Sequence, residues 1–115
     1  MILDWDKVEI YVKPGSTDMR KQINSLAEIV EKEMGKNAGS GELFLFCGRD
    51  RKRLKILYYD KNGFCLWLKR LEKHKFPWPS SVEESMKISY EQITMLLDGI
   101  DFFNAHTEVR YEQVS

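Results

Sequence analysis

The alternation of apolar and polar residues along the chain predicts two helices and up to five strands. Apolar and polar side chains alternate from Val8 to Val12, which predicts a first strand with one buried face. Apolar residues then recur at helical spacing from Asp18 to Met34, which predicts a long amphipathic helix that ends at Gly35. Ser16 or Thr17 is expected to cap that helix.

Three apolar runs with short polar turns between them predict an antiparallel meander in the middle of the chain. Lys36 to Gly41 is predicted to be a flexible connection that does not pack. Gly48 to Lys52 forms a basic turn, and Asp60 to Gly63 carries the Asn-Gly signature of a tight hairpin. Turns this short exclude parallel pairing, which needs a crossover of about a dozen residues. The three predicted strands are Leu43 to Cys47, Arg53 to Tyr59 and Phe64 to Leu71.

The C-terminal part of the chain predicts an extended segment, a short strand and a second helix. Phe76 to Pro79 is extended because each Pro disfavours the helical conformation of the residue before it. Met86 to Ile88 is a candidate short strand. Ser89 and Gln92 match a capping box that starts the second helix, and Gly99 ends it.

Together these elements predict one α+β domain over residues 1–103. It has an antiparallel meander sheet, a long amphipathic helix packed on one face and a second short C-terminal helix. Residues 104–115 are predicted to be a frayed tail, unless Glu108 to Val114 pair as an edge strand. The chain has no apolar run near the ~20 residues of a membrane span and no signal peptide at its start. We therefore expect a soluble cytoplasmic protein.

The charges are strongly divided along the chain although the net charge is zero. The stretch from Arg49 to Lys75 has ten basic and three acidic residues, a net charge of +7. The rest of the chain holds the remaining eight bases and fifteen acids, a net charge of −7. Such a division indicates a polyanionic partner for the basic stretch.

Five sequence pieces resemble those of a known family. They are TDMRK (Thr17 to Lys21), RLKILYYD (Arg53 to Asp60), NGFCLWLKRLE (Asn62 to Glu72), FPWP (Phe76 to Pro79) and LLDGID (Leu96 to Asp101). From roughly Val8 to Asp101, the chain resembles the TnpB accessory proteins of the insertion-sequence-66 family of bacterial transposable elements. It departs from the family at Tyr59, where Trp is expected. The resemblance implies an accessory role for an element whose DNA-cutting transposase is a separate protein and a partner.

Eight basic residues are the candidate nucleic-acid contacts, because long cationic side chains on a turn suit phosphate binding. They are Arg49, Arg51, Lys52, Arg53, Lys69, Arg70, Lys73 and Lys75. In a three-strand meander, the turn after Cys47 and the end of the strand through Leu71 fall at the same end of the sheet. The two clusters are therefore expected to merge into one patch. The alternative is that they are solvated charges that protect edge strands.

Arg20, Lys21 and Trp78 are the candidate partner-binding residues. Arg20 and Lys21 lie on the first turn of the predicted helix, where they either contact a partner or flank the cap. Trp78 either inserts into a groove of a partner or caps the end of the core. For Tyr58 and Tyr59, which fall on opposite faces of one strand, core packing is favoured over stacking on bases.

The sequence predicts no catalytic residues, no cofactor and no metal. Two-metal nucleases need converging carboxylates, whereas the acidic residues here are dispersed and Asp60 is explained as a turn residue. Cys47 and Cys65 are expected to stay reduced because another strand lies between their strands. Two strand spacings of about 9–10 Å exceed the reach of a disulfide.

Two functional hypotheses follow from these observations. In the first, the protein is a non-catalytic accessory factor that contacts the DNA of the element ends through its basic patch and assists the transposase. In the second, it is an adaptor that docks on the transposase without binding DNA. The oligomeric state is not predicted.

Overall fold

The computed structural model describes residues 7–80 and 85–100. The elements in chain order are β1 (Ile10–Val12), α1 (Ile23–Lys32), β2 (Leu43–Cys47), β3 (Arg53–Asp60), β4 (Gly63–Arg70), β5 (Met86–Ile88) and α2 (Tyr90–Leu97). The predicted class, α+β, is confirmed, and so are the predicted positions of all five strands to within two residues. The predicted tail and its candidate edge strand lie outside the described residues.

The five strands form one mixed sheet in the order β4-β3-β2-β1-β5. The meander is as predicted, since β2 pairs antiparallel with β3 and β3 with β4. The prediction of a wholly antiparallel sheet is wrong at β1, which pairs parallel with β2 and places Ile10 beside Leu43. A parallel pair needs a crossover connection, and the chain segment that contains α1 supplies it. β5 then pairs antiparallel with β1 at the far edge.

The first helix is shorter than the predicted range from Asp18 to Met34. It begins at Ile23, after the extended residue Gln22, and no side chain caps its start. The preceding segment is a turn, because the carboxylate of Asp18 accepts the backbone N–H of Arg20 at 2.9 Å. The expected cap by Ser16 or Thr17 is therefore wrong, and so is the placement of Arg20 and Lys21 on the helix. The helix ends at Lys32 with Glu33 as its C-cap, and Gly35, the predicted stop residue, follows two positions later with a φ of 67°.

Both faces of the sheet are covered; the prediction placed the first helix on one face and did not place the second helix. On one face, α1 packs over side chains from β2 and β3, including Phe44, Phe46 and Leu57. On the other face, α2 and Phe76 pack over the opposite side chains of the same strands. This double cover explains why all five residues of β2 are buried.

Two connections differ in detail from their predictions. The segment from Lys36 to Gly41 was expected not to pack, but Ala38 is fully buried beside α1. The hairpin between β3 and β4 occurs where predicted, with Asp60 paired to Gly63. Its left-handed residue is Lys61, with a φ of 52°, so the Asn-Gly dipeptide does not form the centre of the turn.

The C-terminal helix begins as the sequence indicates. Ser89 and Gln92 form a reciprocal capping box, in which each side chain bonds the backbone of the other residue. Ile93 and Leu96 are buried against the sheet. Local interactions therefore fix this helix start, and the apolar face of the helix docks it on the core.

Candidate nucleic-acid interface

Three basic segments meet at one end of the sheet, and we call residues 17–21, 49–53 and 69–75 the basic edge. The turn from β2 to β3 lies beside the end of β4, since Arg53 pairs with Arg70. The backbone N–H of Leu71 donates to the carbonyl oxygen of Lys52 at 2.8 Å. The backbone N–H of Thr17 donates to the carbonyl oxygen of Cys47 at 2.8 Å, which adds the segment before α1. The two predicted clusters are thus adjacent, and TDMRK joins them.

The basic edge carries ten basic and three acidic residues. Each acid pairs with one arginine, at distances that join carboxylate oxygen to guanidinium nitrogen. The pairs are Asp18 with Arg20 (2.7 Å), Glu72 with Arg70 (3.0 Å) and Asp50 with Arg53 (3.4 Å). Exposed pairs of this kind contribute at most about 1 kcal/mol. Their carboxylates orient three guanidinium groups and leave most of the positive charge uncompensated.

Six of the eight predicted contacts, all but Arg53 and Arg70, form no ion pair within residues 7–80 and 85–100. Four of these six also form no side-chain hydrogen bond there. They are Arg49, Lys52, Lys73 and Lys75. Arg49, Lys73 and Lys75 are exposed, and Lys52 is half-buried. Cations without a carboxylate partner keep their attraction for an external anion, so these four side chains are the most available part of the basic edge.

Two other predicted contacts have roles inside the protein. Lys69 donates from Nζ to the carbonyl oxygen of Leu97 at the end of α2, at 3.1 Å. Arg51 is half-buried in the left-handed conformation, with a φ of 62°. Its guanidinium lies beside the thiol of Cys47, whose pKa is raised to about 11 by burial. Lys69 therefore links β4 to α2, whereas Arg51 folds back onto the end of β2 and its buried Nη1 makes no hydrogen bond in the described part of the chain.

Lys55 is a buried residue of the site that the sequence did not reveal. Its side chain is only 5% exposed, and Nζ donates to the carbonyl oxygens of Met19 at 2.9 Å and Lys21 at 2.8 Å. These bonds fasten TDMRK to β3. Burial lowers the pKa of Lys55, and the nearby charge of Arg53 lowers it further. The local pattern gives no sign of this role, because a lysine in an alternating strand is usually solvent-facing.

The candidate partner-binding residues are divided between solvent and core. Arg20 is exposed, with 91% of its side-chain surface accessible. Trp78 is half-buried, and its indole Nε1 donates to the carbonyl oxygens of Lys13 and Gly15, both at 3.0 Å. Trp78 thus holds the loop after β1 and leaves less of its surface for a partner. Tyr58 is buried in the core, as favoured from its position in the strand.

Comparison with known proteins gives the family of this chain. Residues 8–107 match the family described as IS66 Orf2 like protein. The chain belongs to this family. The proteins of this family are accessory proteins of IS66 insertion sequences, so the IS66 Orf2-like chain has a role associated with transposition. The resemblance carried by TDMRK and the four later pieces is therefore confirmed.

Two curated relatives come from Sinorhizobium fredii. The uncharacterized protein y4hO is 38% identical over 102 residues, which cover 89% of each chain. The uncharacterized protein y4jC is 28% identical over 95 residues, covering 83% of this chain and 81% of the relative. No solved structure matches the IS66 Orf2-like chain.

The described residues contain no candidate metal site and no candidate membrane span. Within residues 7–80 and 85–100, no group of three or more His, Cys, Asp or Glu side chains is placed to hold a metal ion. Cys47 and Cys65 are free cysteines, and β3 lies between their strands as predicted. No helix in the same part of the chain is long and apolar enough to cross a membrane.

Proposed function

We propose that this IS66 Orf2-like protein is a non-catalytic accessory factor in transposition that contacts DNA phosphates through its basic edge. The observation that carries the proposal is the meeting of three basic segments, which come from distant parts of the sequence, at one end of the sheet. Seven of their ten cations have no carboxylate partner in the described part of the chain, and Arg49, Lys52, Lys73 and Lys75 also form no side-chain hydrogen bond there. Phosphate contacts made by such side chains position a protein on DNA without reading its bases.

The alternative, in which these charges protect edge strands from pairing, does not account for where the charges lie. β4 is an edge strand, and a protective charge would be needed along its length. Residues 63–68, which make up most of β4, carry no charged side chain. The bases instead cluster at one end of the sheet, where the end of β4 lies beside the turn from β2 to β3.

The test compares two variants that each lose four positive charges. The first replaces four cations of the basic edge that form neither an ion pair nor a side-chain hydrogen bond in the described part of the chain, and consists of Arg49→Gln, Lys52→Gln, Lys73→Gln and Lys75→Gln. The control replaces four lysines outside the basic edge and consists of Lys32→Gln, Lys36→Gln, Lys61→Gln and Lys87→Gln. Binding of both proteins to element-end DNA and to scrambled DNA is measured across a series of salt concentrations, after thermal unfolding has verified the fold.

We expect the parent protein to bind both DNAs with an affinity that falls steeply with salt. Each lost phosphate contact lowers the log–log slope by about 0.9, so the basic-edge variant should lose about 3.6 units of slope. The control variant should keep the parent slope. In cells, transposition of a marked element should fall for the basic-edge variant alone. Equal slopes for the two variants would refute the proposal.

The same measurement distinguishes DNA binding from the adaptor function, in which the protein docks on the transposase without touching DNA. In that case the parent protein would show no salt-dependent binding to either DNA. Binding to the purified transposase would then be measured with the same two variants, because the basic edge or the acidic remainder of the chain would carry the contact.

A further inference from the structure

A polar cleft of about 350 Å³ opens at the basic edge, between the segment before α1 and the turn from β2 to β3. It brings together residues that are some thirty positions apart in the sequence. The cleft is lined by Ser16, Thr17, Asp18, Met19, Arg20, Arg49 and Arg53. Three of these seven residues are arginines, and two are residues with a hydroxyl group. Such a lining provides hydrogen-bond donors for an anion.

The floor of the cleft is held in place by close packing and buried hydrogen bonds. A β-carbon added at Gly48 would lie 2.7 Å from Cγ of Met19, so only glycine allows this approach without a shift. The N–H of Thr17 is bonded to the carbonyl oxygen of Cys47. Nζ of Lys55 donates a hydrogen bond to the carbonyl oxygen of Met19. The two walls are therefore fixed relative to each other before any ligand arrives.

Carboxylates orient two of the three arginines, and the third, Arg49, has no carboxylate partner in the described part of the chain. Asp18 accepts bonds from Nε of Arg20 at 3.1 Å and from its terminal nitrogen at 2.7 Å. An oxygen of Asp50 lies 3.4 Å from Nε of Arg53, a buried atom that makes no hydrogen bond within the described part of the chain. Arg49 forms no ion pair there.

The charge of the cleft fits a ligand with one negative charge. Hydrogen bonds from the side chain and backbone of Arg20 hold the pKa of Asp18 well below its usual range. The backbone N–H of Lys52 together with Arg53 lowers the pKa of Asp50. Both carboxylates are therefore ionised at neutral pH. The lining has three arginines and the carboxylate of Asp18, a net charge of +2. Asp50, which does not line the cleft but pairs with Arg53, lowers this to +1, the opposite of the single charge of a phosphodiester.

We propose that this cleft binds one phosphodiester group of a nucleic-acid backbone, gripped by Arg49 and by the oriented arginines Arg20 and Arg53. The inference rests on the proposed function and adds a defined site to it. The basic edge has further cations outside the cleft. A nucleic acid carries one phosphate per nucleotide, so neighbouring phosphates can bind these cations while one phosphate occupies the cleft. A single carboxylate on an acidic peptide would use the cleft but not the neighbouring cations.

The experiment uses the full chain and the dinucleotide dTpdT, which has one phosphodiester. Arginine Nε–H signals are followed by NMR while dTpdT is added. The matched probe is the methylphosphonate analogue, which has the same bases and sugars but a neutral linkage. We expect saturable shifts of the Arg20, Arg49 and Arg53 signals with dTpdT alone. Arg49→Gln should weaken binding about tenfold, the effect of one charge-assisted hydrogen bond, whereas Lys61→Gln should leave it unchanged.

Each other outcome overturns the inference. Equal binding of the neutral analogue would show that the cleft does not recognise the phosphodiester charge. Equal or tighter binding of N-acetyl-aspartate amide would assign the cleft to acidic peptides. Absence of saturable shifts, or parent affinity in Arg49→Gln, would show that no such site exists. If duplex DNA still binds with a steep salt dependence in those cases, the proposed function survives. If dTpdT binds but duplex binding shows no salt dependence, the proposed function is wrong although the cleft binds a phosphodiester.

Discussion

Replacing Lys55 with Met removes the buried ammonium that fastens TDMRK to the sheet. Met keeps an unbranched apolar stem of similar length, so packing around the strand should change little. What disappears is the pair of hydrogen bonds from Nζ to the carbonyl oxygens of Met19 and Lys21, at 2.9 and 2.8 Å. Both carbonyl groups then lack their buried donor, and the segment before α1 loses its attachment to β3.

The change in the free energy of unfolding caused by Lys55→Met is the difference between two opposing contributions. A hydrogen bond to a charged group contributes about 1.5–3 kcal/mol, so the two bonds together contribute about 3–6 kcal/mol. Burial of the ammonium and repulsion from Arg53 oppose this, as the lowered pKa of Lys55 indicates. We therefore expect Lys55→Met to lower the free energy of unfolding by about 1–3 kcal/mol. Amide exchange should increase most at residues 17–21, since these lose their anchor.

The pH dependence gives a second readout with a definite sign. The pKa of Lys55 is lower in the folded protein than its ordinary value of 10.5. Between those two values the unfolded chain binds more protons, so the contribution of Lys55 to stability rises with pH in that window. The difference in unfolding free energy between parent and Lys55→Met should therefore grow as the pH is raised toward 10.5. Below the window the difference should be constant.

Urea unfolding of the parent, of Lys55→Met and of the exposed control Lys73→Met provides the comparison. The control should change stability by no more than about 0.5 kcal/mol, as is usual for surface substitutions. A Lys55→Met protein as stable as the parent would refute the reasoning, because the two hydrogen bonds would then merely cancel the cost of burial. Unchanged amide exchange at residues 17–21 would show that the segment is held by other contacts.

Three further predictions concern single residues. Gly48→Ala should lower the unfolding free energy by about 1–3 kcal/mol, because the new methyl group meets Met19; an unchanged urea midpoint would show that Met19 moves aside freely. Iodoacetamide at pH 8 should label half-exposed Cys65 before Cys47, since Cys47 is buried and its pKa is about 11; equal labelling rates by mass spectrometry would contradict this. Lys61→Gly should stabilise the hairpin by about 1 kcal/mol, because Lys61 has a φ of 52°; a lower melting temperature would contradict it.

The sequence by itself determined the features that depend on neighbouring residues. The strands β2, β3 and β4 and their short turns follow from alternation and turn residues over a few positions. The start of α2 follows from the capping box of Ser89 and Gln92, whose partners are three residues apart. The gathering of two basic clusters at one end of the sheet also follows, because a meander with short turns allows one arrangement only.

Only the tertiary structure decided what depends on contacts between distant parts of the chain. Helical spacing from Asp18 onward could not show that Lys55 takes the carbonyl oxygens of Met19 and Lys21, which keeps that segment out of α1. Alternation in β1 could not show which strand lies beside it or in which direction, since a strand has the same period in either pairing. The cleft between TDMRK and Arg49 arises from that parallel pairing, because β1 and β2 then end side by side.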